Sequence, residues 1–321
     1  MPDESPAVAR VLIEPLEPGD APTAAALLAD GESAVDGELV DEAERRRLAA
    51  FAGSDHQRAP DWYPLVARRC SDAVGGYAAL VLPASPGGTA VGDAAPLPDV
   101  EGRDEVLTSL LAALTDLAAR HQARELEVWL RRADDHDLEV ATAAGLPARR
   151  RVAVLGRPLP IEGAAPPAPS GITVRSYRPD VDDDQVVDVL REAYAGTDDG
   201  GWDLAAFRER RGWDWFRADD LLVAEDTDGR LLGLHWLKRR SPTVGEVHNL
   251  AIHPGGQGRG LGPLLLRAGL DHLAATGCDE VMLWVDRAND RAVRLYTSLG
   301  FTTRWDDVAL ARAVPGAEHR S

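Results

Sequence analysis

The sequence predicts an α/β protein made of two tandem repeats, each a mixed, mostly antiparallel sheet flanked by helices. Three observations predict this. First, "EVWLRRADDHDLEVATAAGLPARR" in the first half and "VMLWVDRANDRAVRLYTSLGFTTR" in the second align without a gap. Trp129 falls on Trp284, Ala133 on Ala288, Asp135 on Asp290, Thr142 on Thr297 and Gly145 on Gly300, each pair 155 residues apart. Matches in one register, with similar opening strands and Pro/Asp turns, mark a duplicated unit. Second, "PLPIEGAAPPAPSG" is rich in proline and small residues and has no periodicity, so it reads as a linker. The expected division is a first domain at 1–160, a linker at 161–170 and a second domain at 171–321. Third, strand and helix patterns alternate through the second half in the order β-α-β-β-β-α-β-α-β.

Each element of that half has its own signal. Ile172 to Tyr177 alternates as a strand, and Gln185 to Tyr194 puts Val186, Val189, Leu190 and Ala193 on one helical face. "LLVAEDTDGRLLGLHWLK" is two apolar runs around Asp228-Gly229, a hairpin signal. Val244 to Ile252 is a further strand. A helix follows from Leu261, with Leu264, Leu265 and Ala268 on its stripe and Pro263 tolerated in the first turn. "EVMLWVD" is a buried-type strand. Asn289 or Asp290 caps the next helix, and Gly300 suits its left-handed end. "FTTRWDDVALAR" closes with strand character.

Composition excludes several functions. At 321 residues the chain has room for two cores, and a net charge of -18 leaves no basic excess for nucleic acid. The acidic balance suits a cationic partner or serves solubility. The two cysteines, Cys70 and Cys278, have no CxxC or histidine spacing around them, so neither metal nor disulfide is expected. "MPDESPAVARVLIEPLEPGD" lacks the basic start and apolar core of a signal peptide, and no run approaches bilayer length. No membrane partner is expected, and the cytoplasm is the expected location. Arginine almost wholly replaces lysine: Lys238 is the only lysine in the chain.

The chemistry gathers at "GEVHNLAIHPGGQGRGLGPLLLRAGL", where a strand runs through five glycines in eight residues into a helix. The Q-x-x-G-x-G pattern is Gln257, Gly260 and Gly262. Glycines there let backbone N–H groups approach an anion, the helix adds its positive dipole end, and Arg259 adds a charge. A diphosphate fits such a corner. Taken alone, the glycines equally suit a tight turn needing positive φ. The Lys-Ser/Thr of a Walker loop is absent, and the preceding strands are hairpin-like rather than the parallel βαβ unit of a dinucleotide fold.

"VHNLAIHPGGQGRGLGPLLL" followed by "VDRANDRAVRLYTSLGF" resembles the acetyl-CoA-binding core of the GNAT acetyltransferases. A narrower likeness, to the mycothiol synthases, rests on "GGWDLAAFRERRGWDWF", "LLGLHWLK", the glycine corner, "DRANDRAVRLYTSLGFTT" and the tandem layout. It is strongest from about Gly201 to Ala309 and mostly architectural in the first half. It implies two GNAT domains and transfer of an acetyl group from acetyl-CoA to the cysteinyl amine of cysteinyl-glucosaminyl-inositol, without a metal. On this likeness Leu250, Ala251, Ile252 and Gln257, Gly258, Arg259, Gly260, Leu261, Gly262 and Pro263 contact the coenzyme. Asn289, Asp290, Arg291, Ala292, Val293 and Arg294 lie along its pantetheine side.

An α-amino group has a pKa of roughly 8, so a single carboxylate, directly or through water, suffices as base. Glu246 is that candidate. Tyr296, on the last helix, is the expected acid for the departing thiolate, and N–H groups around Leu250 to Ile252 polarise the thioester. Lys238 matches a substrate-contacting lysine of the family. Asp198 and Glu42 match acidic contacts less securely, and Trp284 replaces a tyrosine. These departures, with the less aliphatic "HNLAI", put the acceptor amine in doubt. Another primary amine (amino sugar, antibiotic, peptide terminus) or a non-catalytic acetyl-CoA-binding role are the alternatives.

The first half is expected to be degenerate. Anchoring Pro98 on Pro254 puts Asp104 at the place of Gly260 and Val106 at that of Gly262, with Glu101 and Glu105 adding negative charge. Ala141 stands where Tyr296 does, and no acidic residue matches Glu246. Whether this half binds the coenzyme, with Arg103 as a contact, the sequence leaves open. Because duplication can satisfy internally a contact that single-domain relatives make by dimerising, a monomer is expected.

Overall fold

A computed structural model describes residues 11–35, 37–53, 58–69, 73–197 and 200–314. Asp198, Cys70 and His56 lie outside the described residues.

The chain forms two compact units, one of Met1–Ala153 with Trp305–Ser321 and one of Val154–Arg304. The first contains β1 (Leu12–Pro15), α1 (Ala21–Val35), α2 (Glu42–Ala52), β2 (Trp62–Arg68), β3 (Val74–Val81), β4 (Thr89–Pro96), α3 (Arg103–Arg120), β5 (Glu125–Leu130) and α4 (Asp135–Ala143). β6 (Ala148–Pro158) crosses into the second unit, which continues with β7 (Ile172–Ser176), α5 (Asp183–Ala193), α6 (Leu204–Arg211), β8 (Leu221–Asp226), β9 (Leu231–Arg239), β10 (Val244–Ile252), α7 (Leu261–Ala275), β11 (Glu280–Asp286) and α8 (Asp290–Ser298). β12 (Thr302–Ala313) starts there and ends in the first unit.

These units do not follow the expected bounds of 1–160 and 171–321. The last strand pairs antiparallel with β5, Val308 opposite Leu130 through Ala313 opposite Glu125, and so serves the first sheet. Residues 154–158 of β6 serve the second, where Leu159 N donates to Asp279 O at 2.8 Å and Thr302 Oγ1 to Gly156 O at 3.4 Å. An internal repeat fixes which elements exist, but not which copy of a closing strand they pair with. The 161–170 stretch lies inside the second unit and carries no helix or strand, and Arg267 donates to the carbonyls of Ile161 and Glu162.

The first sheet runs β1-β2-β3-β4-β5-β12 and is antiparallel except between β4 and β5. Val106, Leu107, Leu110, Leu111 and Leu114 of α3 pack on one face, and Leu28, Leu48 and Phe51 of α1 and α2 on the other. A buried cluster fixes the incoming strand: Asp307 Oδ2 accepts from Arg131 Nη1 at 3.2 Å, and its Oδ1 from Arg132 N at 3.1 Å. Arg131 Nε lies 3.6 Å from the buried Asp93, whose carboxyl is pushed up to about 7 by burial despite that guanidinium.

In the second unit the order is β6-β11-β10-β9-β8-β7, with β10 and β11 parallel. α5 and α6 cover one face with Val186, Leu190 and Phe207 around Trp236, while Leu261, Leu264 and Leu265 of α7 cover the other. The strands, the Asp228-Gly229 hairpin and the caps follow the sequence reading; α6 is an additional element. Asn289 accepts from Ala292 N at 3.1 Å, and Gly300 is left-handed at φ 82°. The repeat register holds too, since Asp134 caps α4 as Asn289 caps α8, and Gly145 also has φ 82°.

His235 is wholly buried under α7, its Nδ1 2.8 Å from Leu265 O, so Nδ1 carries the proton. Burial, outweighing the carbonyl bond and helped by the charge of His272, lowers its pKa to about 4. The unfolded chain therefore binds a proton the folded one refuses. Stability held above pH 6.5 falls as pH drops from there toward 4, by about 3 kcal/mol at the limit. Urea denaturation across that range should show a steeper decline for the wild type than for His235→Gln; parallel curves would refute the assignment.

Candidate active site

The site begins where β10 and β11 part. Their parallel pairing extends over three residue pairs, Val244–Glu246 against Glu280–Met282. Beyond Glu246, β10 continues to Ile252 with β9 alone on its other edge. The equivalent ladder of β4 and β5 spans five pairs, Thr89–Asp93 against Glu125–Trp129, so the first unit opens less. Unpaired strand edges leave backbone N–H groups facing the gap, the requirement for holding a thioester carbonyl.

Leu250, Ala251 and Ile252 line the open end of β10, Ala251 buried and its neighbours half-buried. A short 3-10 turn, Pro254–Gly256, then leads to exposed Gln257, Gly258, Arg259 and Gly260 and into α7. Gly258 and Gly260 have φ of 75° and 76°, so their backbone requires glycine. Gly262 has no such need, and a Cβ at any of the three would meet nothing within 4 Å. Space is left open above them. α7 has no acid in its first turn. This cradle fits a diphosphate.

The first unit presents the opposite. Gly102 caps α3 at φ 70°, as Gly260 caps α7. That equivalence corrects the register expected from Pro98: the loop is two residues shorter, and Asp104 stands at the place of Gly262 rather than Gly260. Asp104 and Glu105 occupy the first turn, with Asp104 held 2.9 Å from His136 Nε2 and Arg103 paired with Asp137. Arg103 is thus committed within its own unit. The acidic corner persists in the corrected register.

Glu246 lies at the parting point, 6% exposed, opposite Lys238 on β9 and Met282 on β11. Its Oε2 accepts from Arg240 Nη1 at 2.8 Å, and its Oε1 lies 2.9 Å from His248 Nδ1. Burial alone would raise its pKa. The bond from His248 and the charges of His248, Lys238 and Arg240 outweigh that and hold it at about 2. Lys238 is 9% exposed with Nζ 5.2 Å from the Trp215 ring centre, and Arg240 stacks 5.0 Å from the Trp284 ring centre. Glu246, Lys238 and Trp284 are thus linked through Arg240, His248 and Trp215.

Tyr296 is buried on α8, edge-on to Phe301 at 5.7 Å. Burial, with the neighbouring Tyr194, drives its pKa well up, so it keeps its proton at neutral pH. Tyr194 in turn accepts from Asn249 Nδ2 at 3.4 Å, linking the tyrosines to β10. Asn289, Asp290, Arg291 and Arg294 are exposed, and Ala292 and Val293 half-buried, on the first turns of α8. Glu42 belongs to the first unit, paired with Arg46 at 3.1 Å. Sequence reading missed Arg240, His248, Asn249, Tyr194 and Trp215; the polar "HN" inside an otherwise aliphatic strand was the available signal.

The pattern of the Acetyltransferase (GNAT) family matches residues 185–301. A mycothiol acetyltransferase of Actinosynnema mirum is 37% identical over 295 residues, covering 90% of this chain and 94% of that protein. One from Tsukamurella paurometabola is 38% identical over 251 residues, covering 75% and 84%. Among solved structures, a tandem GNAT protein from the clavulanic acid biosynthesis pathway superposes with a TM-score of 0.70 at 18% identity, covering 95% of this chain and 99% of that one. That likeness shows the tandem GNAT fold. The chain is an acetyltransferase and belongs to the mycothiol acetyltransferase family of GNAT enzymes.

Proposed function

We propose that the second unit transfers the acetyl group of acetyl-CoA to the cysteinyl amine of cysteinyl-glucosaminyl-inositol, the last step of mycothiol synthesis. The observation that carries this is the parting of β10 and β11 at a buried carboxylate, ending in an open glycine cradle. The donor supplies an activated acetyl thioester. Gln257 to Pro263 would hold its diphosphate, Asn289 to Arg294 would flank the pantetheine, and N–H groups of Leu250 to Ile252 would polarise the carbonyl.

Glu246 serves the base side of the reaction. Tyr296, kept protonated by burial, gives its proton to the leaving thiolate. Lys238 and Trp284 bound the acceptor. The first unit, with Asp104 and Glu105 at its corner and Ala141 in place of the acid, is degenerate. The enzyme works as a cytoplasmic monomer on a small amine and needs no metal.

Release of the coenzyme thiol, followed with the cysteinyl precursor and a panel of other amines, tests the reading. Turnover confined to the precursor is expected. Turnover of a different amine would replace the acceptor, and acetyl-CoA binding without any turnover would replace the enzyme by a sensor.

A further inference from the structure

Among the described residues, two buried polar atoms beside the site, His248 Nε2 and Asn249 Oδ1, have no hydrogen-bond partner. His248 is the extra residue of a bulge in β10, since Val247 pairs with Leu237 and Asn249 with Trp236. In an unbroken strand neighbours point to opposite faces. Here the His248 ring lies against Trp215 and Trp236, with centres 5.0 and 5.4 Å apart, while Asn249 reaches Tyr194. Trp215, Trp236 and Tyr194 all belong to the cluster under α5 and α6. The bulge thus turns both side chains onto that one face.

The carboxylate of Glu246 can only accept, so Nδ1 of His248 is the donor, and whenever the ring is neutral Nε2 presents a lone pair. Among the described residues that Nε2 and the Oδ1 of Asn249 are buried without a hydrogen-bond partner. Such groups are destabilising when left unmet, and a ligand donor would meet them. A primary amine brings two N–H donors, an ammonium three. Both Glu246 oxygens, in contrast, are already in charge-assisted bonds to Arg240 and His248. The charged groups around the Glu246–His248 pair are Lys238 of β9 and Arg240, one residue beyond that strand, while the titratable Tyr194 contacts Asn249.

We propose that His248 Nε2 takes the proton from the acceptor amine, with Asn249 Oδ1 as the amine's second contact and Glu246 as the positioning carboxylate. This rests on the acetyl-transfer reading above and changes which atom does the proton work. The ammonium passes one proton to Nε2, leaving a neutral amine and an imidazolium held by Glu246, which returns its proton to water. The nitrogen lone pair then forms the N–C bond as the C–S pair leaves on sulfur. The thiolate takes a proton from Tyr296 and the amine's second proton restores the phenol, so ammonium and thioester give amide, thiol and one free proton.

The test is the pH profile of kcat/KM for wild type, His248→Gln and Glu246→Gln, with acetyl-CoA affinity by calorimetry as the control for folding. His248→Gln is expected to lose about 10²-fold at neutral pH. It should recover most of that loss above pH 9, where an α-amine of pKa about 8 is neutral without help. Glu246→Gln should keep an acidic limb and move it to lower pH, because the imidazolium loses its counter-charge. Ring-nitrogen NMR of the wild type should place the only proton on Nδ1 and respond to an S-blocked cysteine amide, which keeps the test alive if a variant fails to fold. A His248→Gln loss equal at every pH, or a ring indifferent to the amine, would overturn the proposal. A wild type that turns over no amine would overturn the acetyl-transfer reading instead.

Discussion

Gly269→Ala is expected to destabilise the protein by about 3 kcal/mol, although alanine is the better helix former by roughly 1 kcal/mol. Gly269 lies inside α7, and a Cβ built there overlaps the His235 imidazole beneath it. Ring and helix are both packed, so one must shift, at about 1–3 kcal/mol for overpacking. A displaced ring also breaks its bond to Leu265 O and leaves a buried donor unmet, another ~1–3 kcal/mol. Urea denaturation measures the total. In a His235→Ala background the same substitution should become neutral or stabilising, which a double-mutant cycle reads directly. A single-variant cost below about 1 kcal/mol would show that the helix does not press on the ring as described.

Gly262→Asp should weaken acetyl-CoA binding by about 10²-fold without loss of stability. The substitution copies the first unit, where Asp104 holds the matching place. A Cβ at Gly262 meets nothing, and an acid in the first turn of a helix favours the helix by roughly 0.3–1 kcal/mol. The protein should melt no lower. A carboxylate a few ångströms from a diphosphate is opposed by several kcal/mol at an effective dielectric of about 20, less where water screens it. Gly262→Ala separates charge from bulk: its affinity should fall far less. Calorimetric titration of all three proteins decides, and equal affinities would remove the diphosphate from this corner.

Much of the fold was legible because its signals are local. The Asp228-Gly229 turn, the Asn289 cap and the left-handed Gly300 each follow from one or two residues, and the 155-residue repeat carried the last two to Asp134 and Gly145 in the first half. The glycine cradle was legible for the same reason. Pairings between distant strands were not: nothing local in "WDDVALAR" tells β12 to close the first sheet. The His248–Glu246 contact depends on a bulge, which inserts a residue without a composition signal, so strict alternation would have put His248 and Asn249 on opposite faces. The low pKa of Glu246 needed the same tertiary detail, because it depends on the His248 contact and on Arg240, which follows the neighbouring strand β9.

The traded closing strands carry a consequence for anyone dissecting the gene. Cutting in the 161–170 stretch does not yield two independent domains, because each fragment would carry off a piece of the other's architecture. The front fragment would lack a row of ladder partners along β5, leaving a bare edge prone to sticky association. Removal of either half would therefore strip strand residues from the sheet of the other.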